Sequence, residues 1–203
     1  MKLILVLAAS ATGLWAQVDL ERPLTDLIRE LNRTSSLPIH VVAGEMDART
    51  PVRVDGRPVR VVLDELVSQT QGSYELRPDG VNVLSAAVAR DPRHPLRLHL
   101  PSFDFEGGTV VEAAFALFSR PELLTANYHI LMSGVGVRRD DEPPVRVSLK
   151  NTTPLEALNA IAGTTGSFWV LRDGSGIHSL VFYSLETSRR PDTSLSISAG
   201  PTQ

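Results

Sequence analysis

Residues 145–171, VRVSLKNTTPLEALNAIAGTTGSFWVL, are the stretch that best defines the fold of this chain. The first residues alternate between apolar and polar, which predicts a half-buried strand. Thr153 and Glu156 have the spacing of a capping box, and Pro154 stands at the first helical position, so three helix-start signals coincide. An apolar face at helical spacing follows, and Gly166 separates it from an aromatic strand. The stretch therefore predicts strand, capped helix and strand.

A related stretch, residues 52–76 (VRVDGRPVRVVLDELVSQTQGSYEL), lies in the first half of the chain. Each half has the predicted order strand, helix, strand, strand, helix, strand, strand. Residues 51–54 correspond to 144–147, and Gly-Ser-Tyr at 72–74 corresponds to Gly-Ser-Phe at 166–168. Two unrelated α+β segments could agree by chance, but the shared element order and end signals favour internal duplication.

The remaining elements follow from apolar periodicity. Four buried helix faces are predicted at Leu24, Leu27, Ile28 and Leu31; at Val59, Val62, Leu63, Leu66 and Val67; at Val111, Ala114, Phe115 and Phe118; and at Leu155, Leu158, Ile161 and Ala162. The strands are expected at 17–20, 38–43, 52–54, 73–77, 81–85, 96–105, 127–132, 145–149, 167–171 and 177–184. Thr109 and Glu112 form a second capping box, at the start of the third helix.

Composition places the chain among ordinary globular proteins. It has 203 residues, 42% of them hydrophobic and 21% charged, with a net charge of −3. Because arginine is well distributed, there is no concentrated basic face of the kind that binds nucleic acid, and no nucleic-acid partner is expected. Cysteine is absent from the sequence, which excludes disulfides, thiolate metal sites and lipid attachment through cysteine.

The first residues have the plan of a signal peptide. A positive end at Met1-Lys2 precedes an apolar run too short to span a bilayer, and Ala16 is the expected residue before cleavage. A buried first helix is the alternative. We therefore expect residues 1–16 to be a signal peptide, with no stable membrane span after cleavage and a periplasmic or secreted location. Export without disulfides fits a bacterial envelope.

The predicted domains are two tandem modules in an α+β fold, followed by a tail. The first module covers residues 17–86 and the second 96–185. The small, charged, proline-containing segment 87–95 is the predicted linker. Residues 186–203 are rich in Ser, Thr, Pro and Gly, which predicts a disordered tail.

The pattern of apolar strand, Thr-Pro-Leu-Glu-Ala-Leu helix, glycine and aromatic strand resembles the short N-terminal domain of secretins and TonB-dependent receptors. It is also similar to the C-terminal domain of FecR-type envelope regulators. The residues that carry the resemblance are Val147, Leu149, Thr153, Pro154, Leu155, Ala157, Leu158, Ile161, Thr165, Gly166 and Phe168, and more weakly Val59, Leu63, Leu66, Gly72 and Tyr74. The resemblance implies two βαβ–βαββ modules, each with two helices between small sheets, that dock proteins in secretion, pilus or TonB-type systems. The family has no catalytic residues to transfer.

The titratable residues show no catalytic, cofactor or metal pattern. His40 and His129 occupy equivalent strand positions and are predicted to face solvent, and His94 and His99 point to no common site. The acidic segment 140–142 lacks the spaced oxygens of a calcium loop. Residues 134–136 precede no helix, so they do not predict a phosphate site. No serine lies in a Gly-x-Ser-x-Gly elbow.

The sequence therefore predicts a non-catalytic interaction or scaffold protein of the envelope, with an unidentified protein partner and no cofactor. The partner is expected at open strand edges, those of the last hairpin at residues 177–184 and of residues 96–100. Phe168 and Trp169 face opposite sides of one strand, so Trp169 is an anchor for the partner if the second face of the sheet is open; the alternative is that this face is also covered. The candidate residues are Trp169, Ile177, Leu180, Phe182, Leu96 and Leu98. One alternative is a small secreted hydrolase, which requires histidines close to a carboxylate or serine in space. Another is ligand binding in a cleft between the modules.

Overall fold

The structure is a computed structural model that describes residues 22–44, 49–50, 56–134, 144–173 and 178–186. The expected signal peptide, the strands predicted at 17–20 and 52–54, and all of the predicted tail except Glu186 lie outside these ranges. No helix within them is long and apolar enough to cross a membrane.

The chain contains both helices and strands, and its largest sheet has parallel and antiparallel pairs, which confirms the predicted α+β class. In order they are β1 (Arg22–Pro23), α1 (Leu24–Thr34), β2 (Ile39–Gly44), β3 (Arg49–Thr50), α2 (Val59–Thr70), β4 (Ser73–Arg77), β5 (Gly80–Leu84), α3 (Ala86–Arg90), β6 (Leu100–Glu106), α4 (Val110–Phe118), α5 (Pro121–Thr125), β7 (Ile130–Gly134), β8 (Arg146–Thr152), α6 (Pro154–Thr164), β9 (Ser167–Asp173) and β10 (His178–Ser184).

The same strand arrangement occurs in both halves of the chain. In the first half, β4 pairs antiparallel with β5, β5 pairs parallel with β2, and β1 pairs antiparallel with β3. In the second half, β9 pairs antiparallel with β10, β10 pairs parallel with β7, and β6 pairs antiparallel with β8. Each half therefore contains a three-stranded group of identical order and pairing.

The two three-stranded groups form one continuous sheet. β2 pairs parallel with β9, which gives the order β4-β5-β2-β9-β10-β7. The expected small sheets of the two halves are thus joined, with Val41 opposite Val170 and Val42 opposite Leu171. The connection is a direct backbone ladder rather than a contact between separate sheets.

The second group is reversed relative to the first. β4 runs opposite to β2, whereas its counterpart β9 runs parallel to β2. The faces are exchanged as well: α1 and α2 pack on one side of the sheet with Val41 and Val170, and α4 and α6 pack on the other with Val42 and Leu171. A half-turn about an axis across the strands, combined with a shift along the sheet, therefore relates the two groups.

The helices begin where their local signals place them. Thr109–Glu112 and Thr153–Glu156 both form complete capping boxes, at the starts of α4 and α6. The residue at position 72, just after α2, has to be glycine, because a Cβ there would overlap the carbonyl oxygen of Leu84 in β5. The predicted faces of α1 and α6 are buried throughout, and the centre of the α2 face is buried too.

Three local predictions are wrong. The segment predicted as a linker contains α3, whose Val88 is fully buried. The strand predicted from Leu96 begins at Leu100, because Pro95–Arg97 forms a 3-10 turn in which the His94 ring accepts a hydrogen bond from the Leu96 amide. The face of α4 is rotated, so that Phe115 is 64% exposed while its neighbour Ala114 is buried.

Candidate functional site

The residues predicted to bind a partner are mostly in the core. Trp169, Leu180, Phe182 and Leu96 are at most 1% exposed, and Leu98 is half-buried against the same cluster. Ile177 lies outside the described residues. Of the two alternatives for Trp169, the covered one holds, because helices cover both faces of the sheet where Phe168 and Trp169 lie.

The predicted open edge at the last hairpin is also wrong. β10 lies between β9 and β7, so both of its sides are paired. The strand predicted at Leu96–Leu100 is displaced to β6, which pairs with β8 outside the six-stranded sheet. Within the described part of the chain, the edges of the six-stranded sheet are β4 and β7.

Both edge strands carry an exposed leucine. Leu76 of β4 is 68% exposed and Leu131 of β7 is 63% exposed, among the highest values for large apolar side chains in the described residues. Leu76 lies opposite Val81, whose side chain packs with α1 and α2. Leu131 lies opposite Ser179 on that same face, because its neighbours Ile130 and Met132 pack on the other. The two edges thus present apolar groups on one face of the sheet.

A buried cluster of polar side chains lies beside β7. The Asp173 carboxylate accepts hydrogen bonds from His94 Nε2 at 3.0 Å and from the Tyr128 hydroxyl at 2.9 Å. His178 Nδ1 lies 2.8 Å from Asp173 Oδ1, the oxygen that accepts from Tyr128, but it is not aligned for a hydrogen bond. The Tyr128 ring stacks on His178 and meets His94 edge-on. The cluster joins the start of the 3-10 turn, the segment before β7, and the β9–β10 hairpin.

The electrostatics of the cluster favour an ionised aspartate. Burial by itself would raise the pKa of Asp173, but hydrogen bonds from His94 and Tyr128 and the nearby histidines outweigh it, so the pKa lies below its ordinary value. Burial, reinforced by the Asp173 charge, raises the pKa of Tyr128, so its hydroxyl stays protonated. Because the His94 Nδ1 accepts from the Leu96 amide, the proton of neutral His94 sits on Nε2 and faces Asp173.

Asp173→Ala is expected to lower the free energy of unfolding by about 2–3 kcal/mol, because it leaves the buried Tyr128 hydroxyl and His94 ring without their acceptor. The matched control is Asp104→Ala, which removes an exposed carboxylate that accepts from Ser148. Its cost should stay within about 0.5 kcal/mol. Urea unfolding followed by circular dichroism measures both. Equal costs for the two variants would show that the cluster does not stabilise the fold.

A second polar group lies inside the sheet face that α6 covers. The Trp169 indole N–H donates to Asn159 Oδ1 at 3.1 Å, and its ring stacks on His40 at 5.2 Å between centroids. The Trp169 amide donates to His40 Nδ1. His40 lies opposite Asn82 in the β2–β5 ladder, and both side chains are buried. Burial lowers the pKa of His40 to about 3, so this ring is neutral in the fold.

The histidines differ from their predicted environments. His40 is 1% exposed, which overturns its predicted solvent-facing position, whereas His129 is exposed and hydrogen bonded to Asn127. His94 contacts Asp173, while His99 is exposed and separate from it. No group of three or more His, Cys, Asp or Glu suited to a metal ion occurs in the described ranges.

The sequence carried little signal for either polar group. Asp173 and His94 are 79 residues apart, and His40 and Trp169 are 129 apart, so their contacts depend on the pairing of β2 with β9. For the Asp173 cluster, one local signal was the His94-Pro95 pair, since the proline starts the turn in which the His94 ring is held by the Leu96 amide. Sequence periodicity does not encode which distant strands become neighbours.

Comparisons of the chain with protein-family models, with curated proteins and with solved structures find no match.

Proposed function

We propose that this chain is an exported, non-catalytic interaction module that binds a protein partner at the open edges of its six-stranded sheet. The observation that carries the proposal is that Leu76 and Leu131 are exposed on the edge strands β4 and β7. The central strands of the same sheet are buried on both faces. An edge strand offers unpaired amides and carbonyls to an incoming strand, and an apolar side chain beside them adds affinity.

The internal junction supports this mode of binding. The two halves of the chain associate by edge pairing, since β2 and β9 form a parallel ladder with Val41 and Val170 buried beside it. The same chemistry is available at β7, where Leu131 stands beside a strand whose outer side has no described partner. Residues 1–16 and the resemblance to periplasmic docking domains support a location in the envelope.

The proposal is tested by a photo-crosslinking amino acid placed at Leu131 in the native host. The expected result is one defined protein attached at this position. Leu37 is the matched control, because it is an exposed leucine in the loop before β2. A second strain carrying Leu131→Lys should lose co-purification of that protein by about tenfold or more, whereas Leu37→Lys should retain it. Identical adducts from both positions, or none, would count against edge binding.

A second candidate function is hydrolysis, favoured by one observation. His94 and His178 both come within 3.0 Å of Asp173, which satisfies the geometric requirement for the hydrolase alternative. The described hydrogen bonds of the cluster include no serine or threonine hydroxyl, and both carboxylate oxygens already contact protein groups. Hydrolysis of ester or peptide substrates that disappears in His178→Ala, with the fold intact by circular dichroism, would support this candidate over the interaction module.

A further inference from the structure

We propose that the partner of each open edge is the opposite edge of a second copy of this chain: β7 of one copy pairs in parallel with β4 of the next. This inference rests on the proposed function, because it identifies the protein that binds at the edges. The result is a continuous sheet that grows by addition of copies.

The junction inside the chain is the template for this contact. Each half contributes a three-stranded group, β4-β5-β2 or β9-β10-β7, and the last strand of the first group pairs with the first strand of the second. β7 is the last strand of its group and β4 is the first of its own. These two strands, which are the sheet edges among the described residues, are thus the counterparts of the two strands that already pair at the junction.

The directions of the strands are consistent with a repeat of that contact. Passing the junction once reverses the strands and exchanges the faces, as α1 and α2 lie on one side and α4 and α6 on the other. Passing it twice restores both, so the β4 strand of the next copy runs parallel to β7, as β9 does to β2. Successive copies are then related by a shift along the sheet, which is an open, head-to-tail association rather than a closed pair.

The side chains at the two edges suit this association. Leu131 and Leu76 lie on the same face of the sheet, so an added copy places both leucines on one side of the new ladder. Because the faces are exchanged at each junction, the corresponding face of the internal junction is the one under α4 and α6, where Val42 lies opposite Leu171 and each is at most 1% exposed. Burial of a leucine is worth about 1.5–3 kcal/mol before entropic costs, so two such groups favour association.

Charges on β4 do not oppose the contact. An unpaired charge on an edge strand is a common protection against strand addition. Here the two charged residues of β4 already have partners, since Arg97 pairs with Glu75 and Arg77 pairs with Glu156. Both side chains lie on the face opposite Leu76, because residues alternate along the strand.

Sedimentation velocity of the purified chain over a wide concentration range tests the inference. The wild-type chain should form a ladder of oligomers that lengthens with concentration. Leu131→Lys blocks the β7 end and Leu76→Glu blocks the β4 end, so each variant alone should associate at least about tenfold more weakly. Leu37→Lys changes an exposed leucine in the loop before β2, a strand at the centre of the sheet, and should assemble like the wild type. Circular dichroism verifies that every variant is folded.

An equimolar mixture of the two blocked variants gives the sharpest outcome. The intact β7 of the Leu76→Glu chain can still pair with the intact β4 of the Leu131→Lys chain, so the mixture should form heterodimers at concentrations where each variant alone stays monomeric. A wild-type chain that is monomeric at every concentration would overturn the inference. So would association that Leu76→Glu leaves unchanged, since that result indicates pairing of two β7 edges. In either case, a different protein crosslinked at Leu131 would still support the proposed function.

Discussion

Replacing Trp169 with alanine is expected to lower the free energy of unfolding by about 3–5 kcal/mol. The side chain is fully buried and packs in the core between the sheet and α6. Its removal leaves a cavity and also deprives the buried Asn159 carbonyl oxygen of its donor. Denaturant unfolding followed by far-ultraviolet circular dichroism gives the stability without relying on tryptophan fluorescence.

The matched control is Phe115→Ala, which truncates an aromatic side chain that is 64% exposed on α4. Its cost should stay within about 0.5 kcal/mol, because little packing is lost at an exposed position. If Trp169→Ala lowered the free energy of unfolding no more than this control does, Trp169 would have to lie at the surface, where it could bind a partner. The same pair of variants therefore separates a core role from an interface role.

The second large effect is a loss of stability in mild acid that depends on His40. The folded pKa of this histidine is about 3, below the unfolded value of about 6.5, because burial disfavours the charged ring. Below pH 6.5 the unfolded chain binds a proton that the folded chain does not. The stability contributed by the neutral ring is therefore complete above pH 6.5 and falls by about 1.4 kcal/mol per pH unit as the pH drops towards 3.

His40→Gln should flatten this dependence between pH 6.5 and 4.5, because glutamine offers the Trp169 amide an acceptor and does not titrate. His99→Gln, at an exposed position, is the control and should keep the wild-type slope. The pKa values of Asp173 and Glu156 are also lowered in the fold, so protonation of these carboxylates reduces stability as well, but at a pH below this range. Urea midpoints measured across the range give the slopes. Equal slopes for wild type and His40→Gln would contradict a buried neutral ring.

Local signals were sufficient to predict the hairpins and the four longer helices α1, α2, α4 and α6, but not the five-residue helices α3 and α5. The capping boxes at Thr109 and Thr153 set the starts of α4 and α6, and the apolar stripe of α1 matches its buried face. Each of these features depends on residues within two turns of one another. The order of elements in each half was predictable for the same reason.

Features that depend on distant neighbours were not predictable. Trp169 and Phe168 alternate on one strand, which left open whether one ring is exposed; α1 and α2 cover one face of the strand and α6 covers the other. The buried face of α4 gave a further error, since Leu117 on the observed face and Phe115 on the predicted face are both apolar and periodicity does not decide between them. The Asp173 cluster required three segments to meet, which follows from sheet order rather than from spacing.

Amide hydrogen exchange over β7 (Ile130–Gly134) tests the central claim most directly, when it is compared between the isolated chain and the chain bound to the protein captured at Leu131. As an edge strand, β7 should exchange rapidly in the isolated chain and become strongly protected on binding, whereas β2 and β9 at the centre of the sheet should be protected in both states. Unchanged exchange over β7 in a fully formed complex would contradict binding at the sheet edge.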